Sequence, residues 1–233
     1  MLGVDVIGSA QLPDYLLKAV PVTISKLLDE ALEHSGVEPA DVLVREPLGD
    51  GAVMVLQSEQ LGAVLDAAVR LDQLTINHNR WQKPEVRLRV AVHVGPVGAD
   101  GFHRTRVDHN RLLDAPEFKK LLERCRELGS EETANTGLIV SSEALDAAFS
   151  GDHTQLARRS DFAALAISNK EFRQEAWVRV QGFDSRSLTA FTKTAPEMHQ
   201  SGTRVRNVVH GNMHGVQAGD IDGNLNFYGG RRP

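Results

Sequence analysis

Apolar residues along the chain switch between two periods, and the switches mark out its elements. Leu16, Leu17, Val20, Ile24, Leu27, Leu28, Ala31 and Leu32 recur every three or four positions, which predicts a helix over Pro13 to Gly36. Pro21 lies inside it and must kink it or start a second segment, because proline lacks an N–H and clashes with the preceding turn. Leu61, Val64, Leu65, Ala68, Leu71 and Leu74 share one face of a second helix, capped by Ser58 and running to about Asn77. A third helix is expected from near Asp108 to about Leu128, and a short one from Ser142 to Phe149. Shorter apolar runs read as strands: Leu2 to Ser9, Asp41 to Val44, Ala52 to Leu56, Val86 to Val94, Leu138 to Val140, Trp177 to Val180 and Leu188 to Phe191. Gly95 to Arg106 reads as a hairpin and Glu127 to Asn135 as a loop. Strand, helix, hairpin, helix, strand is a βαββαβ order, so the fold class is α+β with a ferredoxin-like core.

Two acids break the apolar pattern. Asp5 sits inside the first strand, where aspartate is depleted and an unpaired buried carboxylate is costly. Asp50 lies in Gly49-Asp50-Gly51, a tight-turn tripeptide between two apolar runs. On its own it reads as a turn residue. Taken with Asp5 it suggests a shared cation, since hard divalent ions take carboxylate oxygens and substrate phosphates together. Two such ions can activate an attacking oxygen and neutralise a leaving group.

Composition narrows the class. The 233 residues are 41% hydrophobic with a net charge of −5, enough for one sizeable core and against a broad nucleic-acid surface. No apolar run approaches a membrane span and no signal peptide opens the chain, so no membrane partner and a cytoplasmic protein are expected. The single cysteine, Cys125, cannot form an internal disulfide and reads as a small buried hydrophobe. No phosphate-binding Gly-Lys-Ser/Thr loop and no Cys/His zinc spacing is present.

Four blocks resemble the class III nucleotidyl cyclases, the catalytic domain of adenylate and guanylate cyclases. Asp5-Val6-Ile7-Gly8-Ser9 resembles their first metal-binding strand, and Glu46-Pro47-Leu48-Gly49-Asp50-Gly51 their second metal motif. Arg87 to Val97, with His93 as a core histidine, resembles the central strand that follows, and Gly137 to Leu145 a later strand and helix start. The resemblance implies a homodimer that binds a nucleoside triphosphate between subunits. It implies two Mg2+ or Mn2+ ions on Asp5 and Asp50, a base-reading Glu46, and a transition-state Asn and Arg. The family's Asn-x-x-x-Arg is displaced here: counting back from Arg111, the Asn position holds Val107. Asn110 and Arg111 are the candidates, although adjacent helical residues point about 100° apart. Arg104 and Arg106 are substitutes for Arg111, and His103 is the candidate for the second base reader.

Residues 1–192 thus read as the cyclase-like domain, 193–206 as a polar linker, and 207–228 as a separate segment. Gly211, Gly215, Gly219 and Gly223 recur every four residues, and alternate positions mirror about Gln217: Gly215 with Gly219, Met213 with Ile221, Val209 with Leu225. One such strand cannot bury its apolar face, but stacked copies can. The segment resembles the pseudo-palindromic amyloid signalling motifs of bacteria, with Val216, Gln217, Gly219 and Ile221 as its core. That implies homotypic assembly or recruitment of a partner protein with a similar segment, in a stress- or phage-defence setting. A plain flexible tail is the alternative. For the whole chain two functions stand: a cyclase making a 3′,5′-cyclic nucleotide and pyrophosphate, or a degenerate sensor or scaffold whose output is tail assembly.

Overall fold

The computed structural model describes residues 1–98, 104–151 and 153–193. Val216, Gln217, Gly219 and Ile221, and the suggestion for His103, lie outside the described residues. A seven-stranded sheet with the order β2-β3-β1-β4-β5-β7-β6 is the backbone of the fold. Its strands are β1 (Leu2–Val6), β2 (Val42–Pro47), β3 (Gly51–Leu56), β4 (Leu88–Val92), β5 (Thr136–Ser141), β6 (Ala163–Asn169) and β7 (Phe172–Val180). The first four form the antiparallel βαββαβ sheet expected from the sequence, with β1 between β3 and β4. β5 then adds parallel to β4, and the β6–β7 hairpin closes the far edge.

Alternation along the strands builds a core on each face. Leu2, Val4 and Val6 of β1 and Leu88, Val90 and Val92 of β4 pack with α2 (Val20–Glu33) and α3 (Leu61–Trp81). A separate cluster centred on the fully buried Phe118 covers the opposite face. It gathers Ala91 and Ile139 beneath α4 (Arg104–Leu113), α5 (Pro116–Leu128) and α7 (Ser185–Lys193). The remaining helices are short: α1 (Asp14–Leu17) precedes α2, and α6 (Ser142–Ala148) follows β5. Pro21 sits in the first turn of α2, so it starts a second segment, where its missing N–H is not needed.

Four sequence expectations change. Leu188 to Phe191 is helix, not strand. Asp184 accepts the backbone N–H groups of Arg186 (2.9 Å) and Ser187 (3.0 Å) and so caps α7, while Leu188 is buried and Phe191 meets Phe183 edge-on at 5.9 Å. The helix expected from Asp108 to Leu128 begins at Arg104 and breaks at Ala115-Pro116, where proline starts α5. Arg104 to Arg106 is therefore helical rather than hairpin. Ser58 opens a 3-10 turn before α3 and makes no side-chain cap. β6 was not anticipated, although Ala163, Leu165 and Ile167 alternate into the core as a strand should.

Candidate functional site

The site begins with the side chains of β1 that turn away from the α2–α3 core. Gly3 lies under α4: a Cβ there would sit 2.2 Å from the His109 ring, so only glycine lets the helix approach. Asp5 follows on the same face. It stands opposite Gly51 of β3 and Arg89 of β4. A Cβ on Gly51 would lie 2.3 Å from the Val4 carbonyl oxygen, so the glycine is what lets β3 close on β1. The turn before it, with Gly49 at φ +67° and Leu48 N–H bonded to the Gly51 carbonyl at 2.9 Å, carries Asp50 to the same end of β1. There the Ser9 hydroxyl donates to Asp50 Oδ2.

Electrostatics tie the two acids together. Burial pushes the Asp5 carboxyl above its ordinary range; the Arg89 guanidinium opposes this, and the charges of Asp50 and Asp114 reinforce it. Asp5 does therefore have a resident partner that the sequence reading missed. Arg89 donates from Nη2 to Asp5 Oδ2, with the two side chains 14% and 22% exposed. Arg89 falls opposite Asp5 only through the antiparallel register of β1 on β4. Arg89 Nε is buried with no acceptor among the described residues.

The donor chemistry fits a hard divalent cation. Each aspartate has one oxygen engaged, Asp5 by Arg89 and Asp50 by Ser9, and the other oxygen makes no hydrogen bond among the described residues. The described residues offer no group of three or more His, Cys, Asp or Glu placed to hold a metal. Two carboxylates suit Mg2+, which keeps water and substrate phosphates as its remaining ligands.

The other candidates lie elsewhere. Glu46, on edge strand β2, is gripped by Arg106 of α4 through Nη1 (3.0 Å) and Nη2 (2.5 Å), and this pairing holds its carboxyl below the ordinary range. Arg104 pairs with Asp108 one turn along α4. Arg111 reaches the β6–β7 hairpin, where Nη2 donates to Glu171 at 3.2 Å and the guanidinium lies 6.0 Å from the Phe172 ring centre. Its Nη1 is buried without a hydrogen bond among the described residues, the Asp108 carboxylate being 3.7 Å away. β4 and β5 stand between β1 and β7, a separation of about 14 Å at ordinary strand spacing. One chain thus does not bring Arg111 to the acids. Asn110 is exposed and points its amide oxygen toward His109 Nδ1 (3.3 Å). His93 is buried, with its pKa lowered by that burial, but its Nδ1 has no hydrogen-bond partner among the described residues, so there it is not the satisfied core histidine expected.

No protein-family model and no curated protein matches the chain. Solved structures do. A bacterial light-regulated adenylyl cyclase superposes with a TM-score of 0.54 at 12% identity, over 82% of this chain and 55% of that one. The chain therefore spans about half the length of that protein. The monomeric guanylyl cyclase domain of the RhoGC fusion protein from the aquatic fungus Blastocladiella emersonii gives 0.45 at 12% identity, over 77% and 93%. At these identities the likeness is one of fold, and the fold is that of the class III nucleotidyl cyclase catalytic domain.

Proposed function

We propose that the chain is a nucleotidyl cyclase that acts as a homodimer on a nucleoside triphosphate. The observation that carries this reading is the convergence of Asp5 and Asp50 at one end of β1, close enough for the Asp50 charge to act on Asp5, on a cyclase fold. The triphosphate's own 3′-hydroxyl attacks its α-phosphate, and pyrophosphate leaves. Asp5 and Asp50 would hold Mg2+ or Mn2+, which when bound activates the attacking oxygen and neutralises the leaving group. Arg89, with its unsatisfied Nε beside Asp5, would be free to donate to a phosphate oxygen were Asp5 engaged with such an ion. Arg111 of a second copy brings its unsatisfied Nη1 to the charge developing at the α-phosphate, because Arg111 of the same chain faces the wrong edge of the sheet. Glu46 reads the base once Arg106 lets one carboxylate oxygen go, and it suits a base edge rich in N–H donors. The segment 207–228 gathers the protein with copies of itself or with a partner bearing a similar segment, in cytoplasmic defence signalling.

A second reading rests on the arginines. Arg89 on Asp5, Arg106 on Glu46 and Val107 at the family's Asn position together describe a fold that has lost turnover and serves as a nucleotide sensor or scaffold. One assay separates the two. Purified protein is incubated with each of the four nucleoside triphosphates and Mn2+, and cyclic product is sought by chromatography. The enzyme reading requires product with at least one of them and its loss in Asp50→Ala. No product with any of the four leaves the sensor reading.

A further inference from the structure

At the end of the sheet from which β4 and β5 begin lies a cavity of about 670 Å³, within the range of small-ligand sites. Ile7, Leu12 and Ile76 give it an apolar floor, and neither Asp5, Ser9 nor Asp50 lines it. Its charges are unevenly matched. Arg80 is neutralised by Glu132 at 2.6 Å, and Glu85 by Lys83. Arg126 gives Nη1 to the Glu131 carbonyl (2.9 Å) and more distantly to the Ser130 and Thr133 carbonyls (3.4 Å each), none of which carries a charge. Arg87, half-buried on the same wall, has no hydrogen bond or ion pair from its side chain among the described residues. It stays beside the loop after β1 through its backbone, where the Ile7 N–H meets the Arg87 carbonyl at 2.8 Å. The exposed Glu131 is at the rim and pairs with neither guanidinium among the described residues.

Two guanidinium charges therefore share one concave wall with no carboxylate on either. Burial and the charge of Arg126 both disfavour the cationic form of Arg87. Arginine cannot escape by deprotonating, so only an anion relieves the repulsion. Two planar forks on one wall match an oxyanion with several acceptor oxygens. We propose that this cavity binds a phosphate-type oxyanion between Arg87 and Arg126, at a site separate from the Asp5–Asp50 pair. The inference stands whether or not the chain turns over a nucleotide.

The test is isothermal titration of inorganic phosphate, and in a parallel arm pyrophosphate, into the full chain in a phosphate-free buffer with EDTA. Chelation removes any route through a metal on the aspartates. Saturable binding is expected, tighter for pyrophosphate, which can span both guanidinium groups. Arg87→Gln should weaken it at least tenfold with an unchanged melting temperature, and Asp50→Asn should leave it within twofold. The proposal is overturned by no saturable binding of either anion, by binding that survives Arg87→Gln, or by binding that Asp50→Asn abolishes. Equal affinity for the two anions removes Arg126 from the site.

Discussion

Replacing Arg89 by alanine probes the pair at the centre of the site. The change deletes the guanidinium bonded to Asp5 and leaves that carboxylate mostly buried near Asp50 and Asp114. Stranding one partner of a buried ion pair costs about 3–5 kcal/mol. Asp5 keeps about a fifth of its side-chain surface in water, which reduces this to about 2–3 kcal/mol. For a unit of this size that is a fall in melting temperature of about 4–12 °C. The pH dependence carries a definite sign. Burial already raises the Asp5 pKa, and losing Arg89 removes the main influence lowering it. A raised folded-state pKa gives stability that is present below the unfolded value and lost as pH rises through the folded one. The deficit of Arg89→Ala relative to wild type is therefore largest near pH 7 and shrinks toward pH 4, where Asp5 keeps its proton. Adding Asp5→Asn removes the stranded charge and should restore part of the stability at pH 7. Thermal melts followed by circular dichroism at several pH values make the comparison. A variant that melts with wild type at pH 7, or loses the same amount at pH 4 and pH 7, refutes the reasoning.

Other expectations follow from the packing and the pairs around the site. Phe118→Ala should cost about 3–5 kcal/mol in denaturant melts, since this fully buried ring centres the core under α4 and α5. Gly3→Ala should cost about 1–3 kcal/mol by driving a methyl into the His109 ring, with partial recovery when His109→Ser is added. His109 is held neutral by burial, with a pKa of about 4, so its contribution to stability is present above pH 6.5 and lost as pH falls toward 4, at about 1.4 kcal/mol per pH unit; the imidazole signals in NMR should not titrate above pH 5. Arg106→Ala should leave the melting temperature nearly unchanged, because the Glu46 pair is open to water, yet alter the preference among nucleotides in a binding assay.

What could be read from the sequence divides along physical lines. The βαββαβ core was legible because its periods are strong and its turn residues are glycines with steric reasons to be there, Gly49 and Gly51 above all. Asp5 was legible because an acid inside an apolar strand demands an explanation. Its partner was not, since Arg89 meets it only through the register of β1 on β4, which no local pattern states. β6 was missed because its outward positions Ala164 and Ala166 are alanines rather than polar residues, so the alternation with Ala163, Leu165 and Ile167 is weak on paper though real in the core. α7 was misread as a strand because its apolar residues are few, and the Asp184 cap that sets its start lies outside the apolar run. The Arg87–Arg126 cavity joins segments from four parts of the chain and has no signature in any one of them.

The central claim is that Asp5 and Asp50 share a divalent cation, in competition with Arg89. Electron paramagnetic resonance of Mn2+ titrated into the nucleotide-free protein measures this directly. The account predicts loss of the free-ion signal with wild type, no loss with Asp50→Asn, and tighter uptake with Arg89→Ala. A free-ion signal that falls equally for wild type and Asp50→Asn, or for neither, contradicts it.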